Sequence, residues 1–160
     1  MKALVIEHDL MSQCVLAKLL SERGLEVISF ENAEQAILAY QKEFYPLVFV
    51  DADLPGMNGF EFCRWMRSQP NGDKIFILVA TTPNASADLS QVLAVGANDF
   101  LAKPYDVASL KVRLALLMRQ IDAFFREKDL RERLSQREAE SVRLRQDLQL
   151  EIGRYHEMEG

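Results

Sequence analysis

The chain has 160 residues, of which 49% are hydrophobic, and its formal net charge is -5. This length allows one domain with a single core and a smaller appendage. The negative charge disfavours direct binding to nucleic acid, whose phosphates are bound chiefly by an excess of Lys and Arg. No apolar run approaches the roughly 18 residues of a membrane span, and Glu7-His8-Asp9 comes too early for a signal peptide. We therefore expect a cytoplasmic protein without nucleic-acid or membrane partners.

Five short apolar runs alternate with helical patterns in the first two thirds of the chain. The predicted strands are residues 2–6, 25–30, 47–50, 75–80 and 98–102. Candidate helix N-caps are Asp9, Asn32 and Asn58, and Gln35 and Glu61 lie three residues beyond two of them. The third and fourth runs are almost wholly apolar, which is typical of strands buried on both faces of a parallel sheet. The pattern predicts a doubly wound α/β fold.

The two cysteines, Cys14 and Cys63, each lie within an amphipathic helical pattern and form no short metal-ligand spacing. We interpret both as small buried apolar groups. Such cysteines are typical of a reducing cytosol.

Polar residues follow four of the predicted strands. They are Glu7-His8-Asp9 after the first, Asp51 after the third, Thr81-Thr82 after the fourth and Lys103 after the fifth. Because ligands of doubly wound folds bind at the carboxyl ends of the strands, these residues are predicted to share one edge of the sheet. Asp51, Thr81 and Lys103 are expected to surround a common pocket.

These residue types suit phosphoryl transfer to a carboxylate, which needs a nucleophilic oxygen, a divalent cation and hydrogen-bond donors. Asp51 is the candidate nucleophile, Lys103 the partner of the phosphoryl oxygens, and Thr81 a hydroxyl donor. The candidate ligands of a hard cation such as Mg²⁺ are Glu7, Asp9 and the backbone carbonyl of Asp53.

Residues 105–152 contain neither Gly nor Pro, and one helix of that length would extend roughly 70 Å. Apolar residues recur there at intervals of four and three, in two frames. The first frame holds Leu110, Leu114, Leu117, Ile121 and Phe124, and the second holds Leu130, Leu134, Leu144, Leu148 and Tyr155. Glu127 and Arg131, and Asp129 and Arg133, are placed for ion pairs along the helix. We predict that a domain at 1–120 continues into a helical extension at 121–160, which forms a parallel coiled-coil homodimer.

The first 120 residues or so resemble the receiver domains of two-component response regulators, the CheY-like family. The matching motifs are Glu7-His8-Asp9, Asp51 with Leu54-Pro55-Gly56-Met57-Asn58-Gly59, Thr81, Gly96-Ala97-Asn98-Asp99-Phe100 and Lys103-Pro104. The resemblance implies a flavodoxin-like five-stranded sheet of order 2-1-3-4-5. It also implies that Asp51 accepts a phosphoryl group from a sensor histidine kinase or phosphotransfer protein. Thr81 and Phe100 would act as switch residues and Lys103 as the phosphate partner.

A protein of this kind is a signalling switch rather than a turnover enzyme, and it catalyses only its own phosphorylation and slow dephosphorylation. Its output would reach an effector or an output domain that the sequence does not identify. His8 departs from the family pattern, since it stands where the second acidic residue normally contacts Mg²⁺. Imidazole is a poor ligand for Mg²⁺, so we expect weakened Mg²⁺ binding by Glu7 and Asp51, with His8 and Asp9 as secondary candidates.

Three other functions share some of these sequence features. A receiver-like module that dimerises or binds a partner without phosphate is the main alternative, because of His8. A phosphohydrolase of the haloacid-dehalogenase type is more remote, since Asp51-Ala52-Asp53 resembles its nucleophile motif but no acidic pair follows the fourth strand. A flavodoxin-like cofactor protein is disfavoured, because Glu7-His8-Asp9 would repel a phosphate group.

Overall fold

The computed structural model describes residues 1–82 and 89–158. The chain divides into two compact units, Met1–Leu117 and Met118–Gly160. The functional domain limits of 1–120 and 121–160 stay a prediction. We refer to residues 118–158 as the C-terminal segment.

Strands and helices alternate through the first unit, as the sequence pattern predicts. The strands are β1 (Lys2–Ile6), β2 (Glu26–Phe30), β3 (Leu47–Asp51), β4 (Phe76–Thr81) and β5 (Asp99–Ala102). The helices are α1 (Leu10–Ser21), α2 (Ala33–Tyr40), α3 (Gly59–Ser68), α4 (Leu89–Ala94) and α5 (Val107–Met158), with a 3-10 turn at Gly72–Lys74. Each strand begins and ends within one residue of its predicted limits.

The five strands form one parallel sheet of order β2-β1-β3-β4-β5, which confirms the predicted fold class. Every residue of β3 is buried, as expected for a strand inside a parallel sheet. The register places Ile6 beside Val50 and Asp51 beside Ala80. The carboxyl ends of β1, β3 and β4 therefore lie side by side.

The three predicted N-caps are confirmed. The Asp9 and Asn32 side chains each accept a hydrogen bond, both 2.9 Å long, from the backbone N–H three residues ahead. Asn58 and Glu61 form a reciprocal capping box with bonds of 2.9 and 3.0 Å. These caps begin α1, α2 and α3 directly after the loops that follow β1, β2 and β3.

The two cysteines differ in burial, and the interpretation of Cys14 as a buried group was wrong. Cys63 is buried in the core, and burial raises the pKa of its thiol to about 12. Cys14 is exposed, because α1 turns Leu16, Leu19 and Leu20 toward the core. Cys14 lies two residues before Leu16, about 200° round the helix.

The two apolar frames of the last helix also differ. Leu110, Leu114 and Leu117 are buried at 5% exposure or less, so they belong to the core of the first unit. In the C-terminal segment the predicted ion pairs form, Arg131 with Glu127 at 2.6 Å and Arg133 with Asp129 at 2.9 Å. Within residues 1–82 and 89–158, no helix is both long and apolar enough to cross a membrane.

Candidate functional site

Asp51, the last residue of β3, is the centre of a cluster of charged side chains. It is only 1% exposed. Its Oδ2 lies 2.9 Å from Lys103 Nζ, and its Oδ1 accepts a 3.1 Å hydrogen bond from the backbone N–H of Asp53. Burial by itself would raise the pKa of Asp51, but the hydrogen bonds and charge of Lys103 outweigh it and lower the pKa. Asp51 is therefore an ionised carboxylate at neutral pH.

Glu7 follows β1 and shares Lys103 with Asp51. It too is 1% exposed, and its Oε2 lies 2.7 Å from Lys103 Nζ. Its Oε1 accepts a 3.0 Å bond from the backbone N–H of Asp9. Burial would lower the pKa of Lys103, but the hydrogen bonds and charges of Glu7 and Asp51 raise it overall. One ammonium group thus bridges two buried carboxylates.

His8 contacts the candidate nucleophile directly. Its Nδ1 lies 2.7 Å from Asp51 Oδ2 and 3.6 Å from Glu7 Oε1. Each of these three residues offers one ligand atom within 4.8 Å of the others. The two carboxylates suit a hard cation, whereas the imidazole nitrogen does not. The sequence identified His8 as the departure at this site but did not predict its contact with Asp51.

The side chain of Asp9 forms its hydrogen bonds with α1 and not with the charged cluster. Its carboxylate caps α1, and the hydrogen bond from Ser12 lowers the pKa of Asp9. Among the described residues it is not part of the group formed by Glu7, His8 and Asp51. Asp53 contacts the site through its backbone N–H, and its side chain is exposed.

Thr81 ends β4 and is 7% exposed. Asp51 is paired with Ala80 in the register, which places Thr81 one residue beyond it at the same edge. The backbone N–H of Lys103 donates a 2.9 Å bond to the carbonyl of Thr81. The three residues expected to share a pocket therefore lie at one edge, with Asp51 and Lys103 in direct contact.

Phe100 lies on β5, half-buried beneath an arginine. The guanidinium carbon of Arg113 is 5.6 Å from the centre of its ring, a cation–π arrangement. Arg113 also forms an ion pair with Asp99 at 2.8 Å. Phe100 and Arg113 border a cavity of about 230 Å³ between β5 and the start of α5, which Tyr105 and Leu110 also line.

Sequence reasoning missed Tyr105. Its hydroxyl donates a 3.2 Å hydrogen bond to Glu7 Oε2, the oxygen that also contacts Lys103. Burial, together with the negative charge of Glu7, raises the pKa of Tyr105. The signal was available, because Tyr105 comes two residues after Lys103 and so follows the same strand.

Sequence reasoning also missed Arg67 of α3, which accounts for part of the motif around Gly96. Its guanidinium donates to the carbonyls of Gly96 and Ile75 at 2.7 Å, to the carbonyl of Gly72, and to Asn98 Oδ1 at 2.8 Å. Gly96 has a φ of +81°, which glycine adopts without strain. These contacts lie at the amino ends of β4 and β5, away from Asp51.

Comparisons with known proteins identify one family. Residues 3–115 match the model of the response regulator receiver domain. The chain is 34% identical over 124 residues to the two-component response regulator PhoP of Pseudomonas aeruginosa, covering 78% of this chain and 54% of that protein. It is 28% identical to the phosphate regulon regulator PhoB of Rhizobium meliloti, covering 74% and 52%. The chain thus spans about half the length of these curated relatives.

Two solved structures show the same fold. One is the receiver domain of the sensor histidine kinase PA1611 of Pseudomonas aeruginosa PAO1, with magnesium coordinated in its active-site cleft. It has a TM-score of 0.65 and 29% identity, over 76% of this chain and 97% of that one. The other is the chemotaxis protein CheY4 of Vibrio cholerae, with a TM-score of 0.65 and 28% identity, over 74% and 96%.

Proposed function

The chain belongs to the response regulator receiver domain family, and on that premise we propose that Asp51 accepts a phosphoryl group from a phosphohistidine. The donor would be a sensor histidine kinase or a phosphotransfer protein. The observation that carries this proposal is the contact of a buried, ionised Asp51 with Lys103 at 2.9 Å. Such a carboxylate is a nucleophile with a cation beside it to bind the incoming group.

In the proposed reaction an oxygen of Asp51 attacks the phosphorus atom. The new P–O bond forms as the P–N bond to the donor histidine breaks, and that imidazole keeps the electron pair and takes up a proton. Lys103 then pairs with the phosphoryl oxygens. Thr81 would donate its hydroxyl to the same group.

Receiver domains bind Mg²⁺ at an acidic site, where it offsets the negative charge of the phosphoryl group and carboxylates. Glu7, Asp51 and the backbone carbonyl of Asp53 are the proposed ligands here. His8 contributes an imidazole where an oxygen ligand is expected, so Mg²⁺ affinity should be low. Asp9 contributes little, because its carboxylate already caps α1.

We further propose that phosphorylation draws Thr81 toward the phosphoryl group and turns Phe100 inward. That change would alter the surface formed by α4, β5 and the first turns of α5. The C-terminal segment would pass it to an effector or output domain as a parallel coiled-coil homodimer. Support comes from its apolar side chains, which are 51–69% exposed along the predicted seam. They are Leu130, Leu134, Leu144, Leu148 and Tyr155.

The test is phosphorylation by acetyl phosphate in the presence of MgCl2, followed by intact mass measurement. The wild type should gain one phosphoryl group and Asp51→Asn none. Asp73→Asn is the matched control, because Asp73 is an exposed aspartate at the other end of the sheet. Beryllofluoride binding should show the same pattern. Equal, negligible responses of wild type and Asp51→Asn would rule out the phosphoryl switch.

That negative result would favour the second candidate, an interaction module that works without phosphate. The contact between His8 Nδ1 and Asp51 Oδ2 at 2.7 Å supports this alternative, because it already satisfies the carboxylate. A phosphohydrolase gains no such support. β4 is followed by Thr82, and no acidic pair stands there.

A further inference from the structure

Glu7 is a buried carboxylate whose hydrogen bonds depend partly on a group that the reaction would use. Oε1 accepts from the backbone of Asp9, and Oε2 from both Lys103 and Tyr105. Lys103 is shared with Asp51. A change in the charge of Asp51 is therefore expected to alter the contact between Lys103 and Glu7.

Phosphorylation would redistribute the bonds of Lys103. The carboxylate of Asp51 becomes part of an acyl phosphate and loses its charge, while the phosphoryl oxygens carry a larger one. The ammonium group is then drawn toward those oxygens. Glu7 is 1% exposed, and a buried carboxylate that loses a hydrogen-bond donor is destabilised.

We infer that Tyr105 is a positioning residue whose hydroxyl holds Glu7 when Lys103 turns to the phosphoryl group. This inference rests on the proposed function. The hydroxyl donates to the oxygen that Lys103 would leave, at 3.2 Å. It is placed there by the short connection from β5 to α5, since Tyr105 follows Lys103-Pro104 and α5 begins at Val107. Tyr105 also lines the cavity beside Phe100, so it joins the charged cluster to the surface where the proposed switch acts.

The test is the affinity for beryllofluoride with MgCl2 present, compared between wild type and Tyr105→Phe. Phenylalanine keeps the ring and removes only the hydroxyl. Tyr45→Phe is the matched control, because the Tyr45 hydroxyl also donates to a carboxylate, that of Glu43 at 3.4 Å. It does so near the amino end of β3, at the opposite edge of the sheet.

We expect about tenfold weaker binding for Tyr105→Phe and unchanged binding for Tyr45→Phe. The reason is that Lys103 still holds Glu7 in the free form, whereas the bound form would depend on the Tyr105 hydroxyl. A purely structural hydroxyl would stabilise the free and bound forms equally, so affinity would not change. The phosphorylated protein should also lose its phosphoryl group faster in Tyr105→Phe.

The outcomes are distinguishable. If the wild type binds and Tyr105→Phe binds equally well, the positioning role is overturned. If Tyr105→Phe does not fold, by thermal unfolding and circular dichroism, the role is also overturned, since Lys103 should hold Glu7 in the unmodified protein. If the wild type itself does not bind, the proposed function fails, and this inference fails with it.

Discussion

Leucines at similar spacings differ in burial between the first unit and the C-terminal segment. Leu110, Leu114 and Leu117 are buried in the core of the first unit, whereas Leu144 and Leu148 are 62% and 58% exposed. The 4-3-4-3 spacing therefore cannot by itself distinguish a helix that packs on a sheet from one whose apolar face is exposed to solvent. Burial distinguishes them, and only the second frame offers a face for self-association.

The charged residues differ in the same way. Glu7 and Asp51 are each 1% exposed and share one ammonium group. In the C-terminal segment, Glu127 and Arg131 are 62% and 78% exposed in their pair. Exposed pairs contribute little free energy because water and salt screen them. Charges buried at the strand ends are expected to affect ligand binding far more.

The largest predicted effect is on stability and tests the difference in burial. Leu114→Ala should lower the free energy of unfolding by about 3 kcal/mol, because Leu114 is 0% exposed and a cavity would remain. Leu150→Ala, at a leucine 63% exposed, should change it by less than about 0.5 kcal/mol. Urea denaturation of both variants measures the two values. Similar losses would show that Leu150 is packed as well and would contradict the difference in burial.

The next effect concerns self-association. Leu148→Lys places a charge on the predicted seam and should convert the proposed dimer to a monomer, as measured by light scattering. Leu150→Lys is the control, because Leu150 lies about 200° further round the helix and is similarly exposed. A mass that responds to both variants, or to neither, would contradict the proposed coiled coil.

A smaller effect tests the charged cluster. His8→Asp should raise the affinity for Mg²⁺ roughly tenfold or more, because a carboxylate replaces an imidazole beside Glu7 and Asp51. His156→Asp adds the same charge to the exposed end of the C-terminal segment and should have no effect. Isothermal titration with MgCl2 gives both affinities. An unchanged affinity in His8→Asp would refute the ligand argument.

The smallest effect depends on pH. The hydrogen bond from Ser12 lowers the pKa of Asp9 below its ordinary value of 3.8. The stability that Asp9 contributes is therefore present above that value and is lost as the pH falls through the lower folded pKa. Asp9→Ala should destabilise the protein at neutral pH and cease to do so in strong acid. Asn32→Ala removes a neutral cap, and its cost measured by denaturation should not depend on pH in this way.

The strands, the caps and the shared edge were predictable because each follows from local patterns or from the geometry of parallel sheets. Asp9 and Asn58, for example, need only the residues three positions ahead of them. The place of Tyr105 at the shared edge could be predicted from its position after β5, but its bond to Glu7 could not, because that contact depends on side-chain torsions. The exposure of Cys14 was missed for a related reason, since periodicity shows that a helix has two faces but leaves borderline positions uncertain.

Arg67 has a consequence for the molecule as a whole. One guanidinium group ties together the segments that lead into β4 and β5, through oxygens of Gly72, Ile75, Gly96 and Asn98. Arg67 holds the amino ends of these strands together, while Thr81 and Lys103 lie at their carboxyl ends, beside Asp51 at the end of β3. We therefore expect rearrangements at the carboxyl ends to leave the alignment of β4 and β5 in the sheet unchanged.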